Sequence, residues 1–247
     1  MAKYAHDEVV PYSGNEANKK QQVANMFNSI AGKYDFMNRF LSAGIDVQWR
    51  KKAIKQLKEL RPKFVLDVAT GTADVAIMTN NLLKPEKIIG IDISEGMLEA
   101  GKKKVEKLGL NGAIELQLGD SETINYPDNT FDAITVAFGV RNFENLEKGI
   151  SEMLRVLKPG GKLVVLEFSR PRQTGFKSLY NLYMNIVAPG FGKFFTKNRK
   201  AYQYLNESVQ AFPERENFIR IMEQAGYTST YFKPLSLGIC CIYCGSK

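Results

Sequence analysis

The chain has 247 residues, 44% of them hydrophobic and 24% charged, which suits a globular protein built as one large domain. No apolar run approaches the roughly 18 residues that span a bilayer. The start, Met1-Ala2-Lys3-Tyr4-Ala5-His6-Asp7-Glu8, lacks the apolar core of a secretory leader, so the expected location is cytoplasmic. A net charge of +8 and a pI near 9.2 permit nucleic acid, anionic lipid or acidic substrates as partners without choosing among them.

In chain order, residues 1–20 are polar and read as a flexible tail, leaving 21–247 as a single domain. His6, the only histidine, lies in that tail; no His-rich metal site is available, and a Ser-His-Asp triad would have to draw on the tail. From Val23 to Leu60 the pattern is helical. Val23, Met26, Phe27 and Ile30 recur at three- and four-residue spacing, as do Trp49, Ala53 and Leu57. An aromatic-rich stretch, Tyr34-Asp35-Phe36-Met37-Asn38-Arg39-Phe40-Leu41-Ser42, separates the two helices.

After Pro62, short runs rich in β-branched residues predict strands at 64–68, 88–93, 114–118, 133–138 and 162–168. They alternate with helices predicted at 73–83, 96–108, 145–157 and 214–225. Ser94 offers an N-cap, and Lys158-Pro159-Gly160-Gly161 a helix stop and tight turn. Such alternation implies an α/β fold, a mostly parallel sheet with helices on both faces. Two final strands, 227–233 and 238–245, follow one another too closely for a parallel crossover and should form an antiparallel hairpin at the sheet's end. Cys240, Cys241 and Cys244 fall there. With no further ligands for a zinc site, they read as three thiols on a buried strand. Residues 171–206 interrupt the alternation and read as an insertion on the substrate side.

In open α/β sheets ligands bind beyond the carboxyl ends of the strands. The first strand here ends at Asp67 and passes through Leu66-Asp67-Val68-Ala69-Thr70-Gly71-Thr72-Ala73-Asp74, where Gly71 lets a ligand approach the backbone. The second ends at Asp92, about 20 residues on, where a carboxylate accepts hydrogen bonds from ribose hydroxyls. The third ends at Gly119-Asp120-Ser121, beside any base that the ribose carries; the fourth ends at Ala137-Phe138-Gly139 and the fifth at Glu167. Singly, such an Asp is commonly a helix cap. A dinucleotide site wants Gly-x-Gly-x-x-Gly, and Asp74 would place negative charge by its pyrophosphate. S-adenosylmethionine, cationic and without phosphate, suits the acidic loop better.

Tyr34–Ser42 and on to Trp49, with Arg155-Val156-Leu157-Lys158-Pro159-Gly160-Gly161-Lys162-Leu163-Val164-Val165-Leu166-Glu167-Phe168-Ser169, resemble the ubiquinone/menaquinone biosynthesis C-methyltransferases. Pro127-Asp128-Asn129-Thr130-Phe131-Asp132 and Phe138-Gly139-Val140-Arg141-Asn142 are similar to that family too. The resemblance implies a class I methyltransferase, Rossmann-like, with a seven-stranded sheet whose last strand is antiparallel and an N-terminal helical lid at 21–60. It implies S-adenosylmethionine held by Asp67, Gly71, Thr72, Asp92, Asp120, Ser121 and Ala137, with no metal. The implied reaction is C-methylation of demethylmenaquinol to menaquinol, closing menaquinone biosynthesis. The alternatives are the polyprenyl methoxy-benzoquinol of ubiquinone biosynthesis or another small acceptor. This sequence departs from the family at Ala69 and Ala73 (usually glycine), Asp46 (usually histidine) and Ala137 (often serine).

For chemistry, Arg141 has two readings: holding the quinol oxygen as an oxyanion, or a surface salt bridge. Tyr34 reads as a catalytic or cofactor contact or as packing. Asp46 reads as a proton acceptor through water or as a cap. Tyr202 and Tyr204 stand no higher, and the general base is unassigned. A polyprenylated quinol needs an apolar entrance. Leu179, Leu182, Tyr183, Ile186 and Val187 offer an apolar helical face, as core or as tail groove. The basic run 193–200 offers a peripheral contact at the inner membrane face or a solvated loop. A nucleic-acid-binding module is the reading from another class. It is disfavoured by dispersed basic residues and the lack of a stacking motif. Oligomeric state is not encoded in any pattern we read.

Overall fold

The apolar runs form β1 (Phe64–Val68), β2 (Lys87–Asp92), β3 (Ile114–Leu118), β4 (Phe131–Ala137) and β5 (Leu157–Phe168), and the C-terminal pair forms β6 (Thr228–Leu235) and β7 (Cys240–Ser246). In the computed structural model, which describes residues 4–42, 44–172 and 199–247, they make one seven-stranded sheet ordered β3-β2-β1-β4-β5-β7-β6. Pairings from β3 through to β5 are parallel, and β7 runs antiparallel to both β5 and β6. β6 is therefore an edge, the place where Pro234 is tolerated within a strand.

Helices α1 (Lys19–Leu41), α2 (Ile45–Ile54), α3 (Asp74–Leu83), α4 (Glu95–Lys107), α5 (Leu146–Val156), α6 (Arg199–Ala211) and α7 (Glu216–Gln224) surround the sheet. One layer packs Trp49, Ala53, Ala76, Leu98 and Val105 of α2, α3 and α4 on Val65, Ile88 and Val164. The other packs Leu146, Ile150 and Met153 of α5 and Phe218 and Met222 of α7 on Leu66, Ile134 and Val165. Covering both faces explains why β2 and β4 are apolar almost throughout instead of alternating. Ser94 caps α4 by accepting from the Met97 amide, as its sequence position predicted, and Asn145 caps α5 through the Lys148 amide. The three cysteines are free and buried on β7, with Cys240 and Cys244 in the first layer and Cys241 in the second.

Four expectations change. The aromatic-rich stretch does not separate two helices: residues 34–41 continue α1, since Tyr34 falls on the face already set by Val23, Met26, Phe27 and Ile30. The tail expected to be flexible is packed from residue 4: the Tyr4 hydroxyl donates to Glu147 (2.7 Å), Lys19 Nζ donates to the His6 carbonyl (2.5 Å), and His6 is fully buried. Strand β5 starts at Leu157, five residues early; it absorbs Lys158–Gly161 through a register break opposite Phe131 and Ala133, with Gly160 at φ 78°. Of the 171–206 insertion, residues 173–198 lie outside the described residues, and with them the apolar face at 179–187 and most of the basic run. Residues from 199 on form α6, which buries Tyr204 completely.

Candidate active site

A cleft of about 650 Å³, counted to its open mouth, lies beyond the carboxyl ends of β1, β2, β3 and β4. Its floor is the β1–α3 loop, where Ala69, Gly71 and Ala73 take left-handed conformations (φ 53°, 56° and 65°). This zigzag turns the Gly71 amide onto Asp92 Oδ2 (2.8 Å), while Asp92 Oδ1 accepts from the Ser94 amide (2.9 Å). A side chain at Gly71 would point into open space, so the glycine serves its left-handed backbone. Burial pushes the Asp92 carboxyl up to about 6, against the backbone donors of Ser94, Gly71 and Ile93 that lower it. A buried carboxylate in the cleft wall is thus oriented by main-chain amides and keeps lone pairs for two further hydroxyl donors.

Asp120, Ser121, Gly71 and Ala137 line the same cleft, with Ile93, Met97 and Phe143 as apolar neighbours. From the other side α1 contributes Lys20, Val23, Phe27 and Tyr34. The Tyr34 ring packs edge-on against Phe27 (5.8 Å), and the residue lines the cleft. The single lysine of the lining, Lys20, is spent on Asp120 Oδ2 (2.5 Å) and Glu122 Oε2 (3.2 Å). Asp92, Asp120, Glu122 and Glu144 give the walls an acidic balance. These groups fit S-adenosylmethionine: buried and half-buried carboxylates that accept from hydroxyls or amines, apolar walls and, among the described residues, no uncommitted cation in the lining to receive a phosphate.

Two predicted contacts, Asp67 and Thr72, lie outside the cleft lining, and so does Asp74. Asp67 sits beside Thr135 in the parallel register of β1 and β4, and its carboxylate accepts from the hydroxyls of Thr135 and Thr70 (both 2.6 Å). It braces the loop from beneath, and burial pushes its carboxyl up to about 6. Thr72 donates its hydroxyl proton to Asp35 of α1 (2.5 Å). Asp74, offered above as the source of acidity, is bound by Lys104 (2.7 Å) and Arg39 (3.2 Å) with Arg50 at 3.8 Å. Burial would raise its carboxyl, but these cations, Lys104 foremost, hold it below the ordinary value. The acidity that suits a cationic ligand belongs to the cleft walls.

Arg141 is neither a surface salt bridge nor a free cation. Only 3% exposed, its Nη1 donates to Glu167 Oε1 (2.6 Å) and to the Phe138 carbonyl (2.7 Å), and the guanidinium lies over the Phe168 ring. Glu167, fully buried at the end of β5, also accepts from the Phe168 amide (2.9 Å). Arg141 Nε is buried without a hydrogen-bond partner, an orphaned donor of the sort that structures seldom leave. Neighbouring Asn142 reaches the cleft and accepts from the Tyr204 hydroxyl (3.1 Å). Asp46 accepts from Ser42 Oγ (2.7 Å) and is paired with Arg50, which places it in a buried ion pair and removes it from both earlier readings. The side chain of Tyr202 lies outside the described residues.

Residues 15–247 match the sequence profile of the ubiE/COQ5 methyltransferase family. The chain belongs to that family. It is 46% identical to a demethylmenaquinone methyltransferase of Bacteroides fragilis over 99% of each chain. It is 44% identical to a ubiquinone/menaquinone biosynthesis C-methyltransferase of Geobacter sulfurreducens, over 93% of this chain and 90% of the other. Among solved structures, an S-adenosylmethionine-dependent methyltransferase from Aquifex aeolicus superposes with a TM-score of 0.57 at 24% identity, covering 79% of this chain and 88% of that one; at that identity the likeness shows the fold.

Sequence reading of this methyltransferase missed Lys20, Phe27, Met97, Glu122 and Phe143 in the cleft lining. Lys20 was hidden by the reading of 1–20 as a tail. Met97 and Phe143 carried no chemical signal beyond apolarity; only their place just after the ends of β2 and β4 could have flagged them.

Proposed function

We propose that this methyltransferase C-methylates demethylmenaquinol to menaquinol, the closing step of menaquinone biosynthesis. What carries the reading is the 46% identity, over nearly the full length of both chains, to a protein named demethylmenaquinone methyltransferase. The methyl donor is S-adenosylmethionine, which when bound supplies a methyl group on a cationic sulfur. Asp92 accepts from its ribose hydroxyls, and Asp120 and Ser121 face the adenine between the apolar side chains of Ile93, Met97 and Phe143. Ala137 and Gly71 leave room for the rest of the donor.

The acceptor is a polyprenylated quinol, whose ring carbon becomes nucleophilic once a neighbouring hydroxyl loses its proton. Arg141, paired with Glu167 behind the cleft lining and with no described partner for Nε, is the cation that this reading assigns to that oxygen, whose pKa it would lower. Asn142 orients the ring, and Tyr34 and Phe27 close the cleft over it. Methyl transfer neutralises cation and anion together, so a dry apolar pocket favours it, and in-line positioning supplies much of the rate. A peripheral contact with the inner membrane face suits so lipophilic an acceptor; no described helix is long and apolar enough to cross a membrane.

A second reading takes the polyprenyl methoxy-benzoquinol as acceptor, favoured by the Geobacter relative's name. Methyl transfer from labelled S-adenosylmethionine to reduced demethylmenaquinone and to the reduced methoxy-benzoquinone, side by side, separates the two. Turnover of the naphthoquinol alone is the expected result. Methylation of neither, with another acceptor consumed, overturns both.

A further inference from the structure

The lid helix α1 is fastened to the cofactor loop by a charged knot outside the cleft. Lys104 of α4 directs its ammonium at three oxygens: Asp35 Oδ2 of α1 (2.7 Å), Asp74 Oδ1 at the start of α3 (2.7 Å), and Thr72 Oγ1 of the loop (3.0 Å). Three donors meet three acceptors, so the ammonium is saturated. Thr72 Oγ1 accepts from Lys104 and gives its only proton to Asp35 Oδ1 (2.5 Å). The next residue back, Gly71, holds Asp92 by its amide. A continuous path therefore runs from Asp35 on the lid, through Thr72 and the Gly71 peptide, to the carboxylate assigned to the ribose.

The rest of α1 is anchored in the same manner. Lys20 bonds Asp120 and Glu122, and Asn28 Oδ1 accepts from Ser94 Oγ (2.7 Å) and from the Gly96 amide (2.9 Å). All three anchorages end on or beside the cleft; the Asp35 knot reaches the loop, with Arg39 of α1 beside it on Asp74 Oδ2 (3.2 Å). Asp35 and Lys104 are 37% and 30% exposed, so as a static salt bridge the pair adds little to global stability.

We propose that Asp35 and Lys104 are positioning residues that lock the lid onto the cofactor loop and set how long the cofactor stays bound, acting through Thr72 without touching the cofactor. Resting on the reading of the cleft as an S-adenosylmethionine site, this adds control of cofactor exchange to it.

The test is the dissociation rate of S-adenosylhomocysteine from the full chain, by stopped flow, with hydrogen exchange along α1 read in parallel. Asp35→Ala and Lys104→Met should each release the ligand at least tenfold faster and speed exchange in α1. The double variant should be no faster than the worse single, because both break one knot. Asp35→Asn, which still accepts from Thr72 but loses the charge, should fall between, and it serves if Asp35→Ala does not fold. Lys103→Met, on the exposed side of α4, should match the parent, and the KM for the quinol at saturating cofactor should move less than twofold in every variant. Dissociation within twofold of the parent in a folded Asp35→Ala protein, or additive effects in the double variant, would overturn the proposal. A parent protein that binds no S-adenosylhomocysteine overturns the cofactor reading itself, and the proposal with it.

Discussion

The carboxylate of Asp92 is held 2.8 Å from the backbone amide of Gly71, so the residue assigned to the ribose and the loop assigned to the donor form one unit. Hydrogen bonds to a charged group contribute about 1.5–3 kcal/mol each. Asp92→Ala should therefore weaken S-adenosylmethionine binding by roughly 100-fold or more, from two lost hydroxyl contacts and a loosened loop. Calorimetry measures it; binding as tight as the parent's would remove Asp92 from the site.

The same carboxyl gives affinity a pH signature. Burial raises it to about 6, so protonation near that pH removes an acceptor that the ribose hydroxyls need. Affinity should be flat above pH 7 and fall by about tenfold per unit below 6, for one proton. A carboxyl of ordinary value would keep affinity level to about pH 4. Titrating S-adenosylhomocysteine binding from pH 8 to 5 distinguishes the two.

His6 gives stability the opposite slope from the buried aspartates. Its folded pKa is lowered to about 3 by burial and then by Lys19, below the 6.5 of an unfolded histidine. The unfolded chain then binds more protons, and stability drains away as pH falls through 6.5 towards 3. Asp67 and Asp92, raised to about 6 in the fold, bind more protons when folded and add stability as pH falls from 7 to 4. Neither ring nitrogen of His6 has a hydrogen-bond partner; Nε2 lies 3.1 Å from Asp7 Oδ1, an ion pair only if the ring were protonated. His6→Leu should leave urea stability near the parent's at pH 8 and exceed it by about 2 kcal/mol at pH 5. Equal shifts at both pH values would show that the ring does not titrate on unfolding.

Removing Glu167 strands the Arg141 charge in a buried site. Glu167→Ala should cost about 3–5 kcal/mol of unfolding free energy. The double variant Arg141→Met with Glu167→Leu should recover most of that stability and none of the turnover, because no cation remains to hold the quinol oxygen. Urea unfolding and a methyl-transfer assay, run on the same samples, separate the two roles. Full activity in the double variant would exclude Arg141 from the chemistry.

The loop departs from its family at Ala69, and the structure shows what that residue touches. A Cβ on Gly139 would lie 2.6 Å from the Ala69 Cβ, too close for either to stay in place. Gly139→Ala should push the loop and weaken cofactor binding by about 1–3 kcal/mol, the usual range for overpacking. Adding Ala69→Gly to Gly139→Ala should restore most of the affinity. Failure of that rescue would mean that Gly139 matters for its own backbone and not for its neighbour.

Much of this was legible beforehand. Strands 64–68 and 114–118 were bounded to the residue, the first because it is an apolar run buried from Val65 on and the second because Ile114 and Leu116 alternate with Glu115 and Gln117. Asp92, Asp120, Ser121, Gly71 and Ala137 lie in the cleft wall, beyond the strand ends where such a fold takes its ligands. Asp67, Thr72 and Asp74 do not, and the cause is common to all three: each answers to a partner remote in sequence. Thr135 reaches Asp67 only through strand register, and Asp35 and Lys104 reach Thr72 and Asp74 only once α1 and α4 have packed. Local spacing carries no trace of such pairings. The same blindness made 1–20 read as a tail, since the Lys19 amide and the Tyr4 hydroxyl bond to Glu144 and Glu147, far along the chain.

The continuity of α1 has a consequence for any ligand. Helical rise is about 1.5 Å per residue, so the fifteen residues from Lys20 to Asp35 make a stiff rod of roughly 22 Å. One of its ends rests on Asp120 and Glu122 and the other on Thr72 of the β1–α3 loop. A rod cannot settle at one end while it is lifted at the other. For a ligand the two docks are therefore one: whatever lifts Lys20 from Asp120 and Glu122 also pulls Asp35 from Thr72.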